Sequence, residues 1–68
     1  MNNEFYKLLL YFRRGEKITR TFLLHKPFIT ADLIDKAVEL RYIVITTPSV
    51  KGDTRYTITE AGIQKRDN

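Results

Sequence analysis

Phe5, Leu8, Leu9 and Phe12 recur at i, i+3, i+4 and i+7, the spacing that gathers side chains on one stripe of a helix. That stripe predicts a first helix within residues 1–15, with Gly15 as its stop and Arg13 and Arg14 at the negative end of its dipole. Tyr6, Leu10 and Tyr11 lie on its other sides, so the helix is apolar around more of its circumference than a surface helix needs. Two covers fit those residues: the chain's own tail or hairpin, or a dimer interface. From Glu16 a second, shorter helix is expected, capped by Thr19 or Thr21 and burying Ile18, Phe22 and Leu23 or Leu24. Pro27 ends it, and His25-Lys26-Pro27-Phe28 reads as a turn because the residue before proline is driven from helical angles. Thr30 is the expected N-cap of a third helix, with Asp32 near its positive end. Leu33, Ala37 and Leu40 form its expected buried stripe, widened by Ile34 and Val38. Asp32, Asp35, Lys36 and Glu39 form the opposite, solvated one.

After Arg41 the pattern becomes extended. Tyr42 to Thr47 is rich in β-branched and aromatic residues, and Arg55-Tyr56-Thr57-Ile58-Thr59 alternates with Tyr56 and Ile58 on one face. Lys51-Gly52-Asp53 supplies turn chemistry between them, so residues 42–60 read as a hairpin. Residues 59–63 are expected to cap a short final turn, and residues 64–68 to form a frayed polar tail. The expectation is a single α+β domain over residues 1–68: three helices followed by a β-hairpin.

A chain of 68 residues buries only about 60% of its unfolded surface, which is marginal for one domain and too small for a roomy catalytic cleft. With no cysteine there is neither a disulfide framework nor a cysteine-bearing zinc site, and a reducing, cytoplasmic setting fits. The longest apolar run, Leu8 to Phe12, falls far short of the roughly 18 to 20 residues of a membrane span. No membrane partner is therefore expected. The net charge of +4 is uneven: residues 1–29 carry Lys7, Arg13, Arg14, Lys17, Arg20 and Lys26 against only Glu4 and Glu16. A basic half of this kind permits a nucleic-acid partner.

The order of elements, with a sharp turn between the second and third helices, resembles a winged helix-turn-helix domain. Leu33 to Ile43 resembles the end of the recognition helix and first wing strand of small winged-helix regulators. Arg55-Tyr56-Thr57-Ile58-Thr59-Glu60-Ala61-Gly62 resembles the phrase that closes the wing in MarR-like and PadR-like repressors. Under that resemblance residues 16–41 are the helix-turn-helix and residues 42–60 the wing. One departure stands out, since such domains usually have glycine where this chain has Arg41. The resemblance implies a double-stranded DNA-binding transcriptional regulator, repressor-like and homodimeric, of viral or plasmid origin. It would place the third helix in the major groove and the wing on the phosphates or in the minor groove. The candidate DNA-binding residues are Lys17, Arg20 and Lys26 around the second helix, Thr30, Ala31 and Lys36 on the third, and Lys51, Thr54 and Arg55 on the wing. Tyr6, Leu10 and Tyr11 are the candidate dimer interface.

Three carboxylates and one lysine on the solvent face of the third helix oppose that reading, because a duplex presents dense negative charge. The alternative is a winged-helix interaction module that binds a basic protein surface through this acidic helix. Catalysis is not expected: His25 is the only histidine, Ser49 has no triad context, and Asp32 and Asp35 read as solvated charges. Neither a cofactor nor a metal is expected, as the glycines are scattered singly and the lone histidine has no companion ligands.

Overall fold

The computed structural model describes residues 4–47 and 54–67. Its first helix, α1, spans Tyr6–Leu9, and Phe5, Leu8, Leu9 and Phe12 are all buried, as their spacing requires. The regular helix is shorter than the 1–15 segment suggested. Past Leu10 the backbone tightens to i→i−3 bonds, with the amides of Tyr11 and Phe12 donating to the carbonyls of Leu8 and Leu9. The chain then reverses at Arg13–Glu16, where Glu16 donates to the Arg13 carbonyl and Gly15 takes the φ of +81° that this turn demands.

The segment after Glu16 departs from the helical expectation. Ile18–Thr19 form a short strand, β1, and the second helix, α2, begins only at Arg20 and ends at Leu24. Thr19 is extended (ψ 153°), and its hydroxyl caps α2 by accepting from the Phe22 amide at 3.2 Å. Its β-branched neighbour Ile18 is buried through the sheet rather than through a helix face. Thr30 likewise caps the third helix, α3 (Ala31–Glu39), accepting from the Leu33 amide at 3.1 Å. The buried stripe of α3 is Ile34 and Ala37, while Leu33 and Val38 are half-buried and Leu40, expected inside, is 45% exposed. Leu40 is the residue at which α3 stops, and the chain turns there before its side chain reaches the core.

Arg41 makes that turn with a φ of +64°. Its amide donates to the Val38 carbonyl and the Tyr42 amide to the Ala37 carbonyl, the paired bonds of a Schellman ending in which glycine is usual. The helix exit thus keeps the geometry of a glycine with an arginine in place.

Strands β2 (Ile43–Thr47) and β3 (Arg55–Ile58) pair antiparallel, with Ile43 opposite Ile58 and Ile45 opposite Tyr56. Thr46 is an extra residue on β2, and its hydroxyl donates to the Arg55 carbonyl at 3.3 Å across this bulge. Ile18 of β1 pairs with Tyr56, giving a three-stranded sheet in the order β1-β3-β2. Tyr56 and Ile58 point into the core, as their alternation requires. The expected turn residues Lys51, Gly52 and Asp53 lie outside the described residues.

The expected frayed tail is instead a helix, α4, over Glu60–Asp67. Thr59 caps it, accepting from the Gly62 amide at 3.0 Å while its own hydroxyl donates to the carbonyls of Arg41 and Tyr42. Glu60 sits in its first turn and Lys65 and Arg66 in its last, matching the helix dipole. Arg66 Nη1 donates to the Phe12 carbonyl at 3.0 Å and Arg14 pairs with Glu60 at 2.9 Å, which fastens α4 to the end of the first helical segment.

Candidate nucleic-acid interface

The orientation of α3 against α2 is set by one turn. The Ile29 amide donates to the Lys26 carbonyl, with Pro27 at the second position and Phe28 at the third with a φ of +68°. Proline at the second position and a positive φ at the third are the marks of a type II turn, in which glycine usually takes the third place. Ile29 drops into the core, and Thr30 then starts α3. Thr30 is exposed and Ala31 half-buried, so the N-terminal end of α3 is open at the surface.

The solvent face of α3 carries Asp32, Asp35, Lys36 and Glu39, all exposed as the sequence suggested. Two of these are engaged by other elements. Arg20, the first residue of α2, donates through Nη1 to Asp35 Oδ1 at 2.9 Å and to Tyr56 Oη at 2.8 Å. Its backbone amide also donates to the Thr54 carbonyl at 2.9 Å. This one residue therefore joins α2, α3 and β3. The Asp35 carboxylate, followed by the Tyr56 hydroxyl, holds the guanidinium above the ordinary arginine pKa. Only 29% of the Arg20 side chain remains exposed, so it serves as a brace and as a counter-charge to Asp35. Lys36 reaches Glu4 at 3.8 Å. Among the described residues, no ion pair engages Asp32 or Glu39.

The remaining candidate cations lie on either side of α3. Lys17 precedes β1 and is exposed; Arg55, also exposed, begins β3 opposite Thr19. Arg55 is at the end of the sheet where β3 begins, and Lys17, which precedes Ile18, lies toward the other end of the β1–β3 pair. Thr54 is half-buried beside Arg55, and Lys51 lies outside the described residues. Lys26 is half-buried on the far side, its Nζ 4.3 Å above the Phe22 ring. The nine candidates thus do not form one uniform surface. Lys17 and Arg55 are exposed cations on the sheet side with no ion pair among the described residues, Arg20 is braced, and Lys26 is drawn onto an aromatic ring.

On α1, Tyr6 and Leu10 are exposed by 45% and 52%. Tyr11 is half-buried against its own core and meets Phe22 edge-to-face at 6.1 Å. Helix α4 packs on this segment as well, but it leaves Tyr6 and Leu10 open. His25 is exposed at the end of α2. Three residues outside the candidate set also make contacts here: Lys7 stands over the Phe28 ring, and Phe22 meets both Tyr11 and Lys26. The signal available was the four-residue spacing of Phe22 to Lys26 at the end of α2; the contact of Lys7 with Phe28 spans 21 residues and has no local signature.

Among the described residues, no helix is long and apolar enough to cross a membrane. No known protein family, curated protein sequence or solved structure matches this chain.

Proposed function

We propose that this chain is a winged-helix protein that binds double-stranded DNA as a transcriptional regulator. The observation that carries this reading is the path of the chain. A helix, a short strand, two helices joined by a tight turn and then a hairpin, with the first strand added beside the last, is the connectivity of a winged helix. The hairpin β2–β3 is then the wing, and α3 is the element offered to the major groove. The exposed Arg55 at the start of β3 and the exposed Lys17 beside β1 support phosphate contacts from this side; Lys51, between β2 and β3 in sequence, lies outside the described residues.

The acidic face of α3 shapes how it meets DNA. Arg20 offsets Asp35, and among the described residues no ion pair engages Glu39, which keeps the C-terminal end of α3 away from phosphates; entry by the N-terminal end brings only Asp32 toward the duplex. Thr30 and Ala31 are the residues that reach base edges in that pose. The exposed Tyr6 and Leu10 support a homodimer, which doubles a modest cationic surface and spaces two half-sites.

A second reading rests on Asp32 and Glu39, which no ion pair engages among the described residues. Asp32 and Glu39 would hold a basic protein surface, with α3 as the docking element. Fluorescence anisotropy of the purified protein against mixed-sequence duplex DNA at low and near-physiological salt separates the two. Binding that weakens steeply with salt supports DNA. No binding even at low salt, together with capture of a basic partner that Asp32→Ala or Glu39→Ala abolishes, supports the protein module.

A further inference from the structure

Phe28 is the most exposed large apolar residue among those described, 76% accessible, and it occupies the glycine position of a type II turn at a φ of +68°. A bulky side chain is disfavoured there, and glycine would make the same turn without strain. The ring does not fill the core. It lies at the surface with Lys7 Nζ 4.2 Å from its centroid. Beside it, Lys26 Nζ stands 4.3 Å over the exposed Phe22 ring and 5.8 Å from Tyr11, which meets Phe22 edge-on. Two ring faces, each topped by an ammonium group, are therefore presented here, one on α2 and one on the turn that follows it. The chain around them is mostly cationic: from Phe5 to Ala31 the only acidic residue is Glu16, with Glu4 and Asp32 bounding that stretch.

We propose that this flank, which adjoins the N-terminal end of α3, is a docking site for an acidic peptide segment of a partner protein that carries apolar anchors between its carboxylates. The carboxylates would pair with Lys7 and Lys26, and the anchors would pack on the open edges of Phe22 and Phe28. Charge complementarity selects an anionic partner. The ammonium groups lying over the rings decide its class. They occupy the faces on which nucleic-acid bases would stack, while leaving their outward hydrogens for carboxylates. Exposed apolar rings with a polar, charged rim are also the composition of a protein-binding patch.

The test uses the full chain and a fluorescent helical peptide in which Asp and Glu alternate with Leu and Phe on one face. A Glu-rich peptide without apolar residues and a Lys-for-Glu version serve as probes of charge and anchor. The acidic amphipathic peptide is expected to bind, and the two control peptides are not. Phe28→Gly and Lys7→Ala are each expected to weaken that binding by about three- to five-fold, the size of one exposed ion pair or one partly buried apolar contact. Phe28→Gly removes strain and so retains the fold, and both variants are expected to keep wild-type affinity for duplex DNA. Equal binding of the Glu-rich peptide, or no effect of Phe28→Gly, overturns the proposal. Loss of duplex affinity in Phe28→Gly or Lys7→Ala would assign the flank to nucleic acid and also overturns it. Binding to anionic phosphatidylserine vesicles in place of the peptide, or a concentration-dependent dimer that Lys7→Glu abolishes, would assign it to a membrane or to a second copy, with the same result.

Discussion

Gly62 packs directly beneath the carbonyl oxygen of Tyr42: a Cβ added there would fall inside the contact radius of that oxygen and 2.8 Å from Ile58 Cγ1. Because the obstruction is backbone, it has no flexible side chain to yield. The same carbonyl accepts from the Thr59 amide and hydroxyl, so Tyr42, Thr59 and Gly62 lock the end of α3, the end of β3 and the start of α4 together. Gly62→Ala is expected to destabilise the protein by about 1–3 kcal/mol, overpacking outweighing the better helix propensity of alanine. A thermal melt checks this; an unchanged midpoint would show that α4 can shift away at no cost.

Thr59 provides the second half of the lock. Thr59→Ala removes the cap of α4 and one hydroxyl donor, and about 1–2 kcal/mol of stability should go with it. Loss of helical circular dichroism before the main transition would identify α4 as the part released.

Arg41 carries the reverse expectation. Its left-handed φ costs an arginine about 1–2 kcal/mol, whereas glycine there gives up about 0.5–1 kcal/mol of unfolded-state entropy. Arg41→Gly should therefore raise the melting midpoint by a few degrees, since about 1 kcal/mol moves a domain of this size by about 4–8 °C. Arg41→Ala, which keeps the Cβ, should not. Equal effects of the two would mean that side-chain loss, not backbone strain, governs the position.

Asp35 separates bracing from binding. With Arg20 29% and Asp35 63% exposed at the side chain, the pair is screened, and Asp35→Ala should change stability by less than about 1 kcal/mol. The same change removes a carboxylate from the face of α3 and frees Arg20 toward phosphates. Duplex affinity in an anisotropy titration should stay level or rise, and a fall would mean that Asp35 itself contacts the partner.

Much of this architecture was legible in the sequence wherever local signals were strong. The stripe Phe5-Leu8-Leu9-Phe12, the threonine caps, the Pro27 turn and the alternation of Tyr56 and Ile58 each express a rule that acts within a few residues. The elements that escaped notice are fixed from a distance. Strand β1 has only two residues and shows no period; it exists because β3 offers it a partner. Helix α4 has no apolar stripe, and its hold comes from Thr59 on Tyr42, Arg66 on Phe12 and Glu60 on Arg14. At the candidate site, residue types were legible but engagement was not. Arg20 and Arg55 look alike in sequence, yet one is braced by Asp35 and Tyr56 while the other stands exposed at the sheet end.

The salt dependence of duplex binding, measured for the wild type and for the Lys51→Ala/Arg55→Ala double variant, tests the DNA-binding reading most directly. Wild-type affinity should fall linearly with salt on logarithmic axes, and removing two phosphate contacts should lower the magnitude of that slope by about 2. A slope that the double variant leaves unchanged, or a wild type that binds no duplex at low salt, would contradict the account.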